Sequence, residues 1–470
     1  RRVALPGRAM PLWASLRRSC WYSPSGRATM STMNRRRPLM SLCVACLLVA
    51  GCSDDGTSSP GTTVATTAPA TVATTTPATA DTLAPTTTAP VDTAPPSDAD
   101  TPQIAALRAV VETLAGDPLN GRDNLTDDSV AAQAYLIEQL GAFAAPIDPG
   151  AAGDDGYRQA FAQGVNLLAV IPGGDLADEY VIVGAHYDHL GNDCAGVSGA
   201  DSICNGAIDN ATGVAAALAI GRSLAADPQP PRRSVIIALW DGEEDGLLGS
   251  AAYLDDPLVP VEQTVGYVNF DIQGTSMSPA LTDITVMVGA ETGGPNLLAS
   301  ALAAADTSSL DTMPLSLLFG QGRSDHANFT AAGVPSVFFT DATPPCYHTV
   351  GDDASIVDYP KLVQQVATAE ALTRDLSATD TLPVFDAAAP AATYDDAVSM
   401  LHIVSTDEPD FPRFTADAQQ GAAQFLLDLQ AIVDAGPDAF GSDAVGVLLS
   451  GALLMVDAWA SGECEAFFMV

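Results

Sequence analysis

The residues of this chain that could do chemistry fall at the ends of apolar runs. The run 181–185 reads as a buried strand that delivers His186 and Asp188 at its carboxyl end. A polar, glycine-rich loop then leads to Asp209-Asn210, which opens a predicted helix at Ala211. Asp241-Gly242-Glu243-Glu244 closes a second run and Asp271 a third; His348 lies in a loop just after a fourth, which ends near Thr340. Neutral imidazole and carboxylate are the ligands a catalytic zinc site prefers. Adjacent side chains diverge at a strand end. One of the neighbouring glutamates can therefore bind metal while the other takes a proton from metal-activated water. The tally is two His, three ligand carboxylates and one spare carboxylate. That inventory suits two zinc ions about 3.5–4 Å apart with a shared carboxylate.

Such groups need a sheet to hold them, and in open α/β sheets they gather in the crevice outside the carboxyl ends of the strands. Apolar periodicity predicts helices from about Thr101 (Ile104, Leu107, Val111 and Leu114) and from Ser129 (Leu136 and Leu140). Strands are predicted over 166–171, 180–186, 234–241, 266–271, 284–288 and 335–340, with helices over 210–225, 296–305, 326–332 and 360–376. Continuous apolar strands alternating with helices specify an α/β fold, a mostly parallel central sheet with helices on both faces. Residues 101–380 are read as this catalytic domain. Three further helical patterns, near 395–404, 416–435 and 443–460, make residues 381–470 a helical C-terminal extension to which the sequence assigns no chemistry. Within it, 444–456 is nearly all apolar, but Asp457 ends the run short of the roughly 20 residues of a membrane span.

Lys plus Arg number 19 against 57 Asp plus Glu, a formal charge of −38. That balance argues against nucleic acid or an anionic membrane surface as partner, since both require a basic face. Ahead of the folded part, Arg35, Arg36 and Arg37 precede an apolar run, 39–50, that ends in Leu48-Val49-Ala50-Gly51-Cys52. A basic start, a short apolar core and small residues before a cut read as an export signal. The ending resembles the bacterial lipobox and makes Cys52 the lipidation site. Residues 1–52 are thus read as leader and lipoprotein signal, and the Thr/Pro/Ala-rich stretch 53–100 as a disordered tether. The expected location is extracytoplasmic, lipid-anchored to a bacterial envelope or secreted, and the expected state is a monomer. Cys194 and Cys204 flank the loop between two ligand segments and form a candidate disulfide in an oxidising compartment; Cys346 and Cys464 are a second candidate pair.

Five motifs, AHYDHLG, GAIDNATG, DGEEDGLLGS, NFDIQG and SDHANF…YHT, resemble in order and spacing those of the co-catalytic di-zinc aminopeptidases, the secreted bacterial leucine aminopeptidase and aminopeptidase Y type. The resemblance covers about residues 101–376. It implies two Zn2+ per chain, with His186 and Asp271 on one, Glu244 and His348 on the other, and Asp209 between them. It also implies Glu243 as general base and then general acid, Asp188 orienting His186, and a cis peptide after Asp209. Ser324, Asp325 and His326 match a pocket motif. Gln321 stands where some members have a Tyr, so Arg323 and Tyr347 become the candidate oxyanion donors. The implied activity is hydrolysis of the first peptide bond of substrates with a free N-terminus. Carboxypeptidase or glutaminyl-cyclase chemistry on the same fold, and a non-catalytic peptide-binding lipoprotein, stand as alternatives. His189 is read as a loop residue and His402 as a surface one. The space before Val181 leaves no room for the protease-associated insert some relatives carry.

Overall fold

The computed structural model describes residues 101–199, 201–462 and Cys464. The leader, Cys52 and the tether lie outside the described residues. Helices α1 (Pro102–Leu114) and α2 (Asp127–Gly141) start where the sequence places a hydroxyl: Thr101 and Thr126 accept the N–H groups of Ile104 and Ser129. Strands β1 (Ala145–Pro146), β2 (Arg158–Phe161), β3 (Gly164–Ile171) and β4 (Leu176–His186) follow. Then come α3 (Thr212–Ala225), β5 (Arg233–Trp240), α4 (Leu248–Asp255), β6 (Thr264–Phe270) and β7 (Ile284–Val288). Next are α5 (Gly294–Ala305), β8 (Asp311–Leu315), α6 (His326–Ala331), β9 (Ser336–Thr340) and α7 (Tyr359–Ala378). The last three helices are α8 (Tyr394–Asp407), α9 (Ala416–Ala435) and α10 (Ser442–Ala460).

The strands form one sheet in the order β1-β3-β5-β4-β6-β9-β7-β8, with β2 paired to β3. Its centre, β5-β4-β6-β9, is parallel, and β3 and β7 join this centre antiparallel. The fold is therefore α/β with a mixed sheet whose parallel strands occupy the middle, where burial on both faces demands uninterrupted apolar sequence. Every residue of β5, β6 and β7 is buried. Strand β8 is absent from the sequence-based reading because Pro314 interrupts a five-residue run. It lies at the edge of the sheet, where a missing N–H is tolerated.

Alternation along the strands sorts side chains to two faces. Val181, Val183, Val235, Ile237, Val268 and Phe339 point into a core covered by α1, α2, α3, α5 and α7. Ile182, Ile236, Ala238 and Tyr267 point the other way, under Tyr253 of α4 and Phe329 of α6. On the β7–β8 side, Val286, Val288, Leu315 and Phe338 join a core with Met400 and Ile403 of α8, Phe425 of α9, and Ala452 and Met455 of α10. The three C-terminal helices thus cover part of the sheet itself. Gly451 lets α10 approach α9 closely, since a Cβ there would collide with the Phe425 ring.

Candidate metal centre

Strand order makes the crevice. From β4 the chain crosses to β5 on one side, and from β5 it returns past β4 to β6 on the other. The connections after β4 and after β6 run in opposite directions, so the carboxyl ends of these neighbouring strands form a topological switch point, where open α/β sheets bind ligands. His186 is the last residue of β4; Asp241 follows β5, Asp271 follows β6, and the loop after β9 carries His348.

The predicted donors meet there. His186 Nε2 lies 3.1 Å from Asp209 Oδ1 and 3.4 Å from Asp271 Oδ1. The other oxygen, Asp209 Oδ2, lies 3.1 Å from His348 Nε2, which is also 3.1 Å from Glu244 Oε2. Asp209 therefore stands between two donor sets and offers one oxygen to each. Glu243 Oε2 is 4.0 Å from His186 Nε2, farther than the other carboxylates. A tetrahedral zinc with bonds of about 2.0–2.2 Å has ligand–ligand edges of about 3.3–3.6 Å, close to these separations. His186, Asp188, Asp209, Glu243 and Asp271 are buried, and the ion pairs of these four carboxylates run to histidines. Buried carboxylates at such distances require a compensating cation. The donor set fits divalent metal, and zinc in particular.

Electrostatics set the protonation preferences of the groups. Burial alone would lower the His186 pKa, but Glu243, Asp271, Asp188 and Asp209 together hold it well above its usual value. Burial, reinforced by the charges of Asp271, Asp325 and Glu244 and opposed by His186, holds the Glu243 carboxyl well above the ordinary carboxylate range.

The supporting shell is only partly visible in the sequence. Asp188 accepts the main-chain N–H of Glu243 at 3.1 Å and of Glu244 at 3.2 Å. Its carboxylate is 3.6 Å from His186 Nδ1, and its own main-chain oxygen is nearer, at 3.2 Å. Asp188 thus anchors the glutamate pair as well as facing His186. His189, read from sequence as a loop residue, is buried, with Nδ1 2.7 Å from Glu244 Oε1. The spacing signal was present, three residues after His186 on the same strand exit, but His189 lacked a visible partner in the sequence. Buried Arg122 donates to the carbonyls of Tyr187, Asn205 and Gly206, and Asp352 accepts the N–H groups of Ile208 and Asp209. Between them they hold the segment that presents Asp209, where the Asp209–Asn210 peptide is cis. Asn210 in turn donates to Phe270 O at 2.8 Å. Cys194–Cys204 and Cys346–Cys464 both form disulfides, and the second ties the His348 loop to the end of the C-terminal extension.

A cleft of about 70 Å³ opens over Asp209, Glu243 and Asp271. Arg323, Tyr347 and Gln321 line it. Tyr347 stacks on His348 at 3.8 Å, with the Arg323 guanidinium 5.9 Å from its ring centre. Ser324 and Asp325 are buried behind the cleft, Ser324 accepting from Asn269 at 2.8 Å. His326 stacks on Phe338 at 4.4 Å, and burial lowers its pKa to about 3. Tyr347 and Arg323 thus face the site, whereas Ser324, Asp325 and His326 shape its wall. His402 lies apart, exposed and paired with Asp311 at 2.6 Å.

The site thus sets imidazole and carboxylate groups side by side at the switch point of a mixed α/β sheet. Residues 166–373 match the model of Peptidase family M28. Among curated relatives, a probable glutamate carboxypeptidase of Arabidopsis thaliana is 28% identical over 44% of this chain and 30% of its own length. An aminopeptidase of Mus musculus is 38% identical over 23% of this chain and 13% of its own. The leupeptin-inactivating enzyme 1 of Streptomyces exfoliatus is 28% identical over 38% of this chain and 36% of its own. The chain therefore spans about a third or less of the length of these relatives. Among solved structures, an aminopeptidase from Aneurinibacillus sp. strain AM-1 is 15% identical, with a TM-score of 0.45, over 60% of this chain and 96% of that one.

Proposed function

We propose that this chain is a di-zinc aminopeptidase that removes the first residue of peptides. The observation that carries the reading is Asp209, whose two carboxylate oxygens each lie 3.1 Å from a different imidazole. His186 and Asp271 would hold one zinc, and Glu244 and His348 the other. Zinc bound there would polarise the scissile carbonyl and make a water acidic enough to attack near neutral pH. Glu243 lines the cleft with its Oε2 4.0 Å from His186 Nε2, farther than Asp209 and Asp271, and would take a proton from the attacking water and pass it to the leaving amine. Arg323 or Tyr347 donates to the developing oxyanion. A free α-amine is drawn to the acidic floor of Asp209, Glu243 and Asp271, which confines cleavage to the chain end.

The zinc-loaded protein is expected to carry about two metals per chain and to hydrolyse leucine p-nitroanilide but not its N-acetyl form, with loss of activity on chelation. One metal per chain, or equal turnover of blocked and free substrates, would overturn the reading. A second reading rests on Arg323: a guanidinium lining the cleft could hold a substrate's terminal carboxylate instead, as in carboxypeptidase action. Activity that required a free carboxyl end would favour it.

A further inference from the structure

The cleft is acidic on its floor but apolar on one side. Ile272, Phe319, Phe338, Ala342 and Val456 make that side, and Val456 comes from α10, far along the chain from every metal donor. Behind it lies a second, smaller cavity of about 60 Å³ between the sheet and the C-terminal helices. The two cavities share Phe319, Gln321, Thr340, Ala342 and Val456, so they meet at this wall. The inner one runs on past Met400 and Ile403 of α8 and Ala452 of α10. Helix α10 is fixed at its far end: Trp459 donates to Asp407 at 2.7 Å, and Cys464 is bonded to Cys346. Val456 therefore faces the cleft from a held helix.

We infer that the C-terminal extension is a specificity element, with Val456 bounding the pocket that takes the side chain of the released residue. The inference rests on the aminopeptidase reading. With the α-amine at the acidic floor and the first carbonyl over the metals, the first side chain must turn toward a wall of the cleft, and this wall is apolar. A charged side chain would lose its water there with only the neutral Gln321 and Thr340 beside Phe319, Phe338 and Val456, and no counter-charge among them. A long apolar one gains contact and reaches the inner cavity between α8 and α10. Peptides beginning with Leu, Met or Phe are preferred over those beginning with Lys, Glu or Ala. A single methylene in a hydrophobic pocket shifts selectivity by about 10–200-fold.

The test uses the full zinc-loaded protein and two variants, Val456→Phe, which fills the junction of the cavities, and Val456→Ala, which widens it. The Leu-to-Ala ratio of kcat/KM on aminoacyl p-nitroanilides falls at least tenfold in Val456→Phe, and the Phe-to-Ala ratio rises in Val456→Ala. A thermal-shift titration with free leucine gives the readout that does not depend on turnover. Its stabilisation is lost in Val456→Phe and kept in Val456→Ala. Hydrolysis with unchanged ratios and an unchanged leucine shift overturns the wall and leaves the aminopeptidase standing. A Val456-dependent leucine shift with no hydrolysis of any substrate keeps the wall and removes the aminopeptidase. Absence of both sinks the two together.

Discussion

At the carboxyl end of β5, Asp188 takes the consecutive N–H groups of Glu243 and Glu244 and so fixes the main chain from which the two glutamates diverge. Glu244 turns to His348 and His189; Glu243 turns to the cleft. Its place on the cleft, beside the donors, suits a group that must accept a proton and return it. Glu243→Gln keeps the volume but removes the base. Turnover is expected to drop by about 10²–10⁴-fold, with metal content unchanged by elemental analysis. Loss of metal would make Glu243 a ligand, and retained turnover would remove it from the chemistry. That His186, Asp209, Glu244, Asp271 and His348 converge was legible because residue type and position coincide: each follows an apolar run or the loop after one. Arg122, Asp352 and His189 were not, because they act on loop carbonyls, amide groups and a carboxylate brought close only by folding.

At the scale of elements, the strands and helices of the parallel centre were readable from long apolar runs. Helices α9 and α10 were placed within a residue by their own periodicity. What could not be read was where α8–α10 dock, since an amphipathic helix shows that it has a buried face but not against what. Asp407 marks the docking. It ends α8, accepts the Ser278 hydroxyl and the Trp459 indole N–H, and is buried. Burial, opposed by those two hydrogen bonds, raises its pKa to about 6 from an ordinary 3.8. A carboxyl raised on folding binds its proton more tightly in the native state. Its contribution to stability is full below about pH 4 and is lost as pH rises through about 6. Two units correspond to roughly 3 kcal/mol at most. Asp407→Asn has no such titration, so its stability relative to wild type should rise by about 1–3 kcal/mol between pH 4 and pH 7. Urea unfolding of both proteins at the two pH values measures it. A difference that does not vary with pH would show Asp407 ionised throughout.

For the whole molecule, the question is whether residues 381–470 can be separated from the catalytic sheet. The sequence leaves this open: a Pro/Ala-rich connector precedes them and none of the predicted donors lies within them. The packing decides against it. Val286, Val288, Leu315 and Phe338 belong to the sheet, are nearly fully buried, and share one core with α8–α10. Exposing such side chains costs about 1.5–3 kcal/mol each, or about 6–12 kcal/mol for the four, against a total stability of about 5–15 kcal/mol for a typical domain. Deletion would also strip Cys346 of its partner two residues from His348. A chain ending at residue 380 should therefore be insoluble, or melt at least ten degrees lower than the full chain, whatever its metal content. A truncated protein that stays soluble with an unchanged Tm would mean the four side chains find other cover and the extension is a detachable module. Val456 packs against the edge of this shared core, so the Tm of each Val456 variant, measured beside its selectivity, separates a change of pocket from a loss of folding.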